Sequence, residues 1–367
     1  MRTSLLFILN ARFPTDKAYG ITTEYTLRAI SKLKKFDVSV VTPNKDENFQ
    51  TNLKVVEVTM PFTHFYKLIN SKVYLDNKAL FMIKNVFYAI KLSYLFRSAK
   101  PIIWSRDILI VLIFRLFGFK VICEIHRTPS LIYYFMFGFL NRLRKVKFIL
   151  ISRHLQEKLN IDKTKCIIAG MSVNESELRF KKFPSKIDKF RVGYIGSSQS
   201  SGNILDIKQL IDAAVSINAL NLNIEFNIFG LNIDKLNLNT KLPPNISFFS
   251  RVPRSEIMKK LDLFNVGLVI YPNSPYFQDS FPIKIVEYAA RKVPIIASDT
   301  LAHRRILGKN KALFFNEGSS LDLVNCILVL YENDRLRKEL AFNAFDWAKK
   351  QTYQKRALRI SKGISNF

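Results

Sequence analysis

Two carboxylates in the last third of the chain have the type and spacing of a ligand-binding or acid–base pair. Asp279 and Glu287 are eight residues apart, and Pro282 between them is typical of a helix start. Asp279 then lies on a loop and Glu287 about a turn and a half into the helix, so both can face one ligand. The N–H groups of Ile283 and Lys284 fall in the first helical turn, where unpaired donors and the helix dipole favour a diphosphate. A structural alternative stays open, in which Asp279 caps the helix and Glu287 forms a buried ion pair.

A turn of small residues is a second candidate phosphate site. The run Gly193–Gly202 lies between an apolar strand pattern and a helical one, and Gly196, Ser197 and Ser198 would let backbone N–H groups approach an anion. Gly20 opens the first predicted helix in a similar way. The run is not G-x-G-x-x-G and lacks a P-loop lysine, so neither a nicotinamide site nor a P-loop is indicated. An ordinary strand-to-helix turn is the alternative.

The elements that must position these residues are predicted to form parallel sheets. Short apolar, β-branched runs alternate with helix-length segments in both halves of the chain, which is typical of doubly wound α/β domains. The first half contains predicted strands at Leu5–Leu9, Val38–Val41, Val55–Val58, Ile102–Trp104, Val121–Ile125, Phe148–Ile151 and Ile167–Ala169. The second half contains them at Arg191–Ile195, Glu225–Phe229, Ile246–Phe249, Val266–Ile270, Pro294–Ala297 and Ala312–Phe315.

The domain limits follow from this alternation. Residues 1–175 are predicted to form an amino-terminal domain, and residues 190–345 a carboxyl-terminal domain. Residues 176–189 are charged and lack an apolar period, which predicts a linker. Residues 346–367 are predicted to be helical and to pack back toward the first domain. Ligands of open α/β sheets bind at the carboxyl ends of the strands, so the active site is predicted between the domains.

A motif in the second half carries a family resemblance. It consists of Phe281-Pro282, Lys284, Glu287-Tyr-Ala and Pro294-Ile-Ile-Ala-Ser298. With it the chain resembles the retaining glycosyltransferases of the GT-B fold, glycosyltransferase family four, also called group one. Shorter matches occur in register at Pro14–Gly20, Cys123–His126, Ile151-Ser152, Asn227–Gly230 and Trp347. The resemblance implies two Rossmann-like doubly wound parallel-sheet domains facing each other across a cleft. The first would be the acceptor-side domain and the second the nucleotide-sugar-binding domain.

The resemblance also implies a role for each candidate residue. Glu287 would bind the ribose hydroxyls of a nucleotide sugar, and Asp279 the hydroxyls of the transferred sugar. The amides of Ile283 and Lys284 would bind the diphosphate, with Gly20, Gly196, Ser197 and Ser198 also on the donor side. His126 would hydrogen-bond the donor sugar and stabilise a developing oxocarbenium ion. The implied donor is a UDP- or GDP-linked sugar, with no metal and no other cofactor.

The sequence departs from the family pattern at two places. Asp279 stands where the family usually has Glu, which shortens the reach to the sugar by one methylene. The loop Gly196–Gly202 also lacks the Arg and Lys that usually neutralise the diphosphate. Because two phosphates need cationic or N–H partners, Lys284, Arg127 or Arg251 is expected to compensate.

Charge and aromatic content point to a membrane surface. The chain has 57 Lys and Arg against 29 Asp and Glu, a formal net charge of +28. Residues 51–150 hold 16 basic and 4 acidic residues interleaved with Phe and Tyr. Amphipathic helices at Lys84–Arg97 and Pro129–Lys147 would then bind an anionic membrane. Aromatic core faces with solvated lysines are the alternative. No nucleic-acid motif is present, so no specific nucleic-acid partner is predicted.

Cysteine usage and hydropathy bear on location. The three cysteines are far apart and form no C-x-x-C pair, which favours a reducing compartment. The apolar run Ser4–Leu9 is interpreted as a first strand and not as a signal peptide. Arg115 and Lys120 interrupt the most apolar later segment, so no spanning helix is predicted. We expect a cytoplasmic protein, peripheral at the inner face of the plasma membrane.

Three functions compete at this point. The first is a metal-independent, retaining glycosyltransferase that moves a sugar from a nucleotide-diphosphate donor to a glycan or lipid-linked glycan in cell-surface polysaccharide biosynthesis. The second is a weak or inactive protein of the same fold that binds a glycan or scaffolds another transferase. The third, a basic protein on membranes or nucleic acid, rests on charge alone.

Overall fold

A computed structural model describes residues 2–15, 17–61, 78–179, 183, 188–196, 203–231, 242–275, 277–365 and 367. The chain folds into two compact units, one formed by Met1–Gly170 with Tyr353–Phe367 and the other by Met171–Thr352. The second unit begins ahead of the predicted linker 176–189. Residues 180–182 and 184–187 of that linker lie outside the described residues.

The first unit contains a seven-stranded parallel sheet with the strand order β3-β2-β1-β4-β5-β6-β7. Its strands are β1 (Thr3–Ile8), β2 (Phe36–Thr42), β3 (Lys54–Glu57), β4 (Ile102–Ser105), β5 (Val121–Ile125), β6 (Val146–Leu150) and β7 (Cys166–Ile168). Its helices include α1 (Ala18–Lys32), α2 (Lys78–Leu95), α3 (Ile108–Leu116), α4 (Leu131–Arg142) and α5 (Arg153–Lys158). The strand order reverses at β1, so the ends of β1 and β4 flank the switch point where such sheets bind ligands.

The second unit contains a six-stranded parallel sheet with the order β10-β9-β8-β11-β12-β13. Its strands are β8 (Phe190–Ile195), β9 (Ile224–Phe229), β10 (Ile246–Phe249), β11 (Val266–Val269), β12 (Ile295–Ser298) and β13 (Ala312–Phe315). Its helices include α6 (Asn203–Ala219), α7 (Arg254–Leu261), α8 (Ile283–Ala290), α9 (Leu301–Leu307), α10 (Ser320–Glu332) and α11 (Asp334–Ala348). Here the switch point lies between β8 and β11.

The burial of these strands explains why each one appears in the sequence as an apolar run. Every residue of β4, β5, β11 and β12 is buried, because helices cover both faces of a parallel sheet. Each predicted strand is therefore confirmed, with ends that shift by a residue or two. The predicted helix Pro129–Lys147 was too long: α4 ends at Arg142, because the chain must turn to enter β6 at Val146.

The end of the chain is not one continuous helix. After α11 the chain passes through Lys349–Thr352, and Thr352 forms an isolated parallel bridge with Val173 in the second unit. The last helix, α12 (Tyr353–Ser365), belongs to the first unit. Its buried Ala357 and Ile360 join the apolar core that contains Leu27 of α1. Within the described ranges, no helix is both long and apolar enough to cross a bilayer.

Candidate active site

The predicted carboxylates flank the start of α8. Asp279 lies in the turn before Pro282, which precedes the helix with an extended backbone, and Glu287 lies on the helix itself. Ile283 is the first residue of α8, so its N–H group and that of the next residue belong to the first turn. Asp279 and Glu287 are both buried. The loop-and-helix placement expected from the sequence is confirmed: Asp279 precedes α8, and Lys284 and Glu287 are its second and fifth residues.

Lys284, the second residue of α8, is held by two aromatic rings. Its Nζ lies 4.4 Å from the ring centroid of Tyr194 on β8 and 5.1 Å from that of Tyr271 after β11. A cation over a ring face is attracted by the ring quadrupole, and more strongly where water is excluded. Lys284 is buried, so its charge is fixed at the switch point between β8 and β11.

His303 completes this group of side chains. It is fully buried on α9, and its Nδ1 donates to the backbone oxygen of Ser298 at 2.8 Å. Its Nε2 is therefore the acceptor of the neutral ring, and among the described residues it has no hydrogen-bond partner. Burial, opposed by the Ser298 contact and reinforced by the charge of Lys284, lowers the pKa of His303 to about 4. The ring edge lies against Tyr271, with centroids 5.8 Å apart.

Two glycines let the ends of β8 and β9 approach closely. Gly196 donates its N–H to the oxygen of Phe229 at 3.0 Å, and Gly230 adopts a positive φ of 87°. A Cβ on Gly230 would lie 2.1 Å from the oxygen of Gly196, and a Cβ on Gly196 would lie 2.4 Å from the Tyr194 ring. A side chain at Gly230 would push the ends of β8 and β9 apart, and one at Gly196 would displace the Tyr194 ring that Lys284 contacts.

In the first unit, Glu124 is the centre of a buried charged cluster. Its Oε1 accepts from Nε2 of His126 at 2.6 Å, from Nη2 of Arg356 at 2.8 Å and from Nη2 of Arg106 at 3.2 Å. Burial raises the pKa of Glu124, but Arg106, His126 and Arg356 outweigh it and hold that pKa well below its usual range. Burial and the charge of Arg106 lower the pKa of His126. Glu124 is thus a carboxylate and His126 a neutral imidazole at neutral pH.

Arg106 connects this cluster to the beginning of α1. Its Nη1 donates to the backbone oxygen of Tyr19 at 3.2 Å, next to Gly20. A Cβ on Gly20 would lie 2.3 Å from Cγ2 of Thr15, so the loop before α1 packs directly on the helix at this glycine. Gly20 and His126 are therefore tied to the same cluster.

A sequence comparison covers most of the second unit. Residues 179–347 match the model of the family Glycosyl transferases group 1. The matched region is similar to the glycosyltransferase domains of that family. It contains the start of α8 with Asp279, Lys284 and Glu287, and it also contains Gly196. No curated protein matches the chain in sequence.

Solved structures share the fold. A glycosyltransferase from Rickettsia africae is 14% identical, with a TM-score of 0.72 and coverage of 100% of both chains. Sucrose-phosphate synthase from Thermosynechococcus elongatus is 13% identical, with a TM-score of 0.71, over 100% of this chain and 99% of that one. HepE from Anabaena, solved in complex with UDP-glucose, is also 13% identical, with a TM-score of 0.71 and 100% coverage of both. With the two parallel sheets, these matches show the GT-B fold.

The structure groups the predicted site residues by unit. Gly196 and Lys284 meet through Tyr194, with Ile283 and Glu287 on the same helix as Lys284 and Asp279 just before it. Gly20 and His126 lie in the first unit, and Ser197 and Ser198 lie outside the described residues. The roles of all these residues, and a site between the domains, stay predictions. Of the cations expected to replace the missing pair, Lys284 is buried, whereas Arg127 and Arg251 are exposed.

The sequence analysis missed the residues that hold this group in place. Tyr194, Tyr271 and His303 around Lys284 come from separate elements, so no spacing along the chain links them. Glu124 and Arg106 had a weak signal, because charged residues within or just after an all-buried strand need partners. Among the described residues, no three His, Cys, Asp or Glu side chains are grouped as metal ligands would be.

Proposed function

We propose that this protein is a retaining, metal-independent glycosyltransferase that moves a sugar from a UDP- or GDP-linked donor to a glycan or lipid-linked glycan acceptor in cell-surface polysaccharide biosynthesis. The observation that carries the proposal is the start of α8, where Asp279, Lys284 and Glu287 are buried together within the glycosyltransferase domain. The same fold in HepE was solved with UDP-glucose, which supports a nucleotide-sugar donor.

Each group at the start of α8 has the chemistry that this donor requires. A carboxylate accepts hydrogen bonds from two neighbouring hydroxyls, as Glu287 would from a ribose and Asp279 from the transferred sugar. The first-turn N–H groups and Lys284 supply donors and positive charge for the diphosphate. As the glycosidic bond breaks, negative charge grows on that diphosphate, so these groups would bind the transition state more tightly than the ground state.

The roles of the two carboxylates can be separated by binding and turnover. Glu287→Gln should weaken binding of UDP or GDP by about 10–100-fold, since a hydrogen bond to a charged group is lost. Asp279→Asn should bind the nucleoside diphosphate like the parent but transfer sugar more slowly, because its contact is to the sugar. Calorimetry and a transfer assay over a panel of nucleotide sugars measure both.

Glu225→Gln is the matched control, because Glu225 lies at the start of β9, the opposite edge of the sheet from the strand ends. An equal loss of nucleoside diphosphate affinity in both site variants would contradict the assignment. Failure of every nucleoside diphosphate to bind the parent would remove the enzyme proposal and favour a scaffolding protein. NMR of the product decides retention, since an inverted anomer would exclude a retaining mechanism.

We also propose that the first unit attaches this enzyme to the inner, cytoplasmic face of the plasma membrane. Helix α3 packs against both α2 and α4, and all three present large apolar side chains to solvent. On α4 the side chains of Leu131 and Phe135 are 72% and 71% exposed. Arg142 is the last residue of α4, and Arg144 follows the helix. Exposed apolar groups beside cations fit the interface of an anionic bilayer.

A further inference from the structure

The hydrogen bond between Glu124 and His126 decides which ring nitrogen carries the proton. An ionised carboxylate only accepts hydrogen bonds, so at 2.6 Å from Oε1 the Nε2 atom of His126 must be protonated. A neutral imidazole has one N–H group, and its other nitrogen is an acceptor. The geometry therefore makes Nδ1 of His126 a hydrogen-bond acceptor.

The two arginines of the cluster keep that ring neutral. Arg106 and Arg356 both donate to the same carboxylate oxygen as His126, so three donors share one negative charge. A protonated imidazole would add a third positive charge to this buried group. The local charge thus opposes imidazolium and favours the tautomer with Nε2 protonated.

Glu124 is itself rigidly held from several elements. Arg356 of α12 also donates to the backbone oxygens of Ala169 and Gly170 and to Oγ1 of Thr26, and it is fully buried. The Glu124 side chain is 1% exposed, whereas that of His126 is 26% exposed. Among the described residues, Nδ1 of His126 has no hydrogen-bond partner. The polar atom that the cluster leaves available is therefore an acceptor on a partly exposed ring.

We propose that Glu124 is a positioning residue that fixes His126 in the tautomer with Nε2 protonated, so that Nδ1 accepts a hydrogen bond from a hydroxyl of the sugar substrate. The contact with the sugar rests on the proposed function, whereas the tautomer does not. In this arrangement His126 orients a hydroxyl group and transfers no proton. The lone pair of Nδ1, backed by the Glu124 carboxylate, also favours positive charge that develops on the sugar.

The tautomer can be measured without any substrate. The chain has four histidines, so ¹⁵N-histidine labelling of the full-length protein gives few signals, and His126→Asn assigns one of them. At pH 7 we expect the His126 signals of a neutral ring with Nε2 protonated and Nδ1 unprotonated. A ring protonated at Nδ1, or an imidazolium, would overturn the proposal.

Two variants separate positioning from general support of the fold. In Glu124→Gln the amide can donate as well as accept, so the His126 signals should change to a mixture of tautomers. Arg106→Gln removes one cation but keeps the acceptor, so the pKa of His126 should rise while Nε2 stays protonated at neutral pH. An unchanged tautomer in folded Glu124→Gln, or a tautomer lost in Arg106→Gln, would contradict a role for Glu124. Should Glu124→Gln not fold, the Arg106→Gln result decides.

Two substitutions of His126 test the acceptor in catalysis. Asn can place its side-chain oxygen near the position of Nδ1, whereas Gln can place its amide nitrogen near Nε2 and leaves no acceptor at Nδ1. Both variants should lose kcat/KM, but His126→Asn less than His126→Gln, which should lose about 10²-fold, typical of one hydrogen bond to the transition state. Equal losses, or the reverse order, would overturn the acceptor role. A parent that transfers no sugar would refute the proposed function but leave the tautomer result standing.

Discussion

We propose that Lys284 is the cation that replaces the Arg and Lys expected from the family resemblance in the loop after β8. The loop after β8 has neither Arg nor Lys, whereas Lys284 lies over Tyr194 and Tyr271 at the end of the same sheet. The rings hold the ammonium group without neutralising it, because a ring quadrupole carries no net charge. An anion at the first turn of α8 would meet that charge together with the helix dipole.

Lys284→Gln should therefore weaken nucleoside diphosphate binding by about 10–100-fold and leave nucleoside binding nearly unchanged. The physical reason is that only the phosphates meet the ammonium group. Calorimetry with UDP and uridine, or GDP and guanosine, measures the difference. Lys259→Gln, an exposed position on α7, is the control. If the variant and the parent bind the diphosphate equally, Lys284 is not the replacement for the missing pair.

The lowered pKa of His303 predicts that the free energy of unfolding depends on pH. Its folded pKa of about 4 lies below the ordinary value of 6.5, so at pH values between these two the unfolded chain binds the proton more readily than the folded chain. The free energy of unfolding should then fall as the pH drops below 6.5, by about 1–2 kcal/mol at pH 5. His303→Asn keeps a donor for Ser298 and does not titrate.

Urea unfolding at pH 7 and pH 5 tests this expectation. The loss of stability between the two pH values should be smaller in His303→Asn than in the parent. Leu301→Asn, an exposed position on the same helix α9, introduces no titrating group and is the control that should leave the pH dependence unchanged. An identical loss in His303→Asn and the parent would show that His303 does not cause it.

At the scale of elements, α4 has more exposed apolar surface than folding within its unit requires. Only Phe137 and Leu140 of this helix are buried, while Leu131 and Phe135 face solvent. A helix that packs on one side normally presents polar groups on the other. The opposite pattern on α4 fits a helix that lies on a lipid surface.

Phe135→Ser should lower binding to anionic vesicles by about 10–100-fold, from the lost burial of one aromatic side chain. Cosedimentation with vesicles of rising anionic lipid content measures the partition. Leu321→Ser is the matched control, because Leu321 is 69% exposed on α10 of the other unit. High salt should remove the electrostatic share of binding and leave the aromatic share. Vesicle binding that changes neither with the anionic lipid content nor on the Phe135→Ser substitution would refute the membrane proposal.

At the scale of the whole molecule, the last residues of the chain complete the first unit. Ile360 and Ala357 of α12 are fully buried in the core that contains Leu27, and Arg356 pairs with Glu124. The chain thus leaves the first unit after Gly170 and returns at Tyr353. Disrupting the packing of α12 should therefore lower the stability of the first unit, although most of that unit is far from α12 in sequence. The second unit, which directly precedes α12 in the chain, should keep its stability.

Ile360→Ala should destabilise the first unit by about 2–5 kcal/mol through the cavity it leaves. Hydrogen exchange should accelerate at β1 and β5 but not at β8. Leu358→Ala is the control on the same helix, since Leu358 is exposed and its removal should cost under about 0.5 kcal/mol. Faster exchange at β8 with β1 unchanged would contradict the assignment of α12 to the first unit.

The sequence by itself determined the strands, the fold class and the position of the carboxylates around α8. Strands buried on both faces must be apolar along their whole length, and Pro282 marks the start of α8, so these features are local and readable. The break between α11 and α12 was not readable, because residues on both sides keep a helical pattern. Only packing shows that Tyr353 begins a separate helix in the other unit.

Tertiary structure alone decided the surroundings of the functional side chains. Tyr194, Tyr271 and His303 surround Lys284 from three separate segments of the chain, and Glu124 meets Arg106 and Arg356 from positions that are distant in sequence. Parallel strands bring their carboxyl ends to one edge whatever lies between them along the chain, so such clusters have no spacing signature. The state of a buried charge depends on which charges surround it, and that is why the tautomer of His126 follows from the fold and not from the residue.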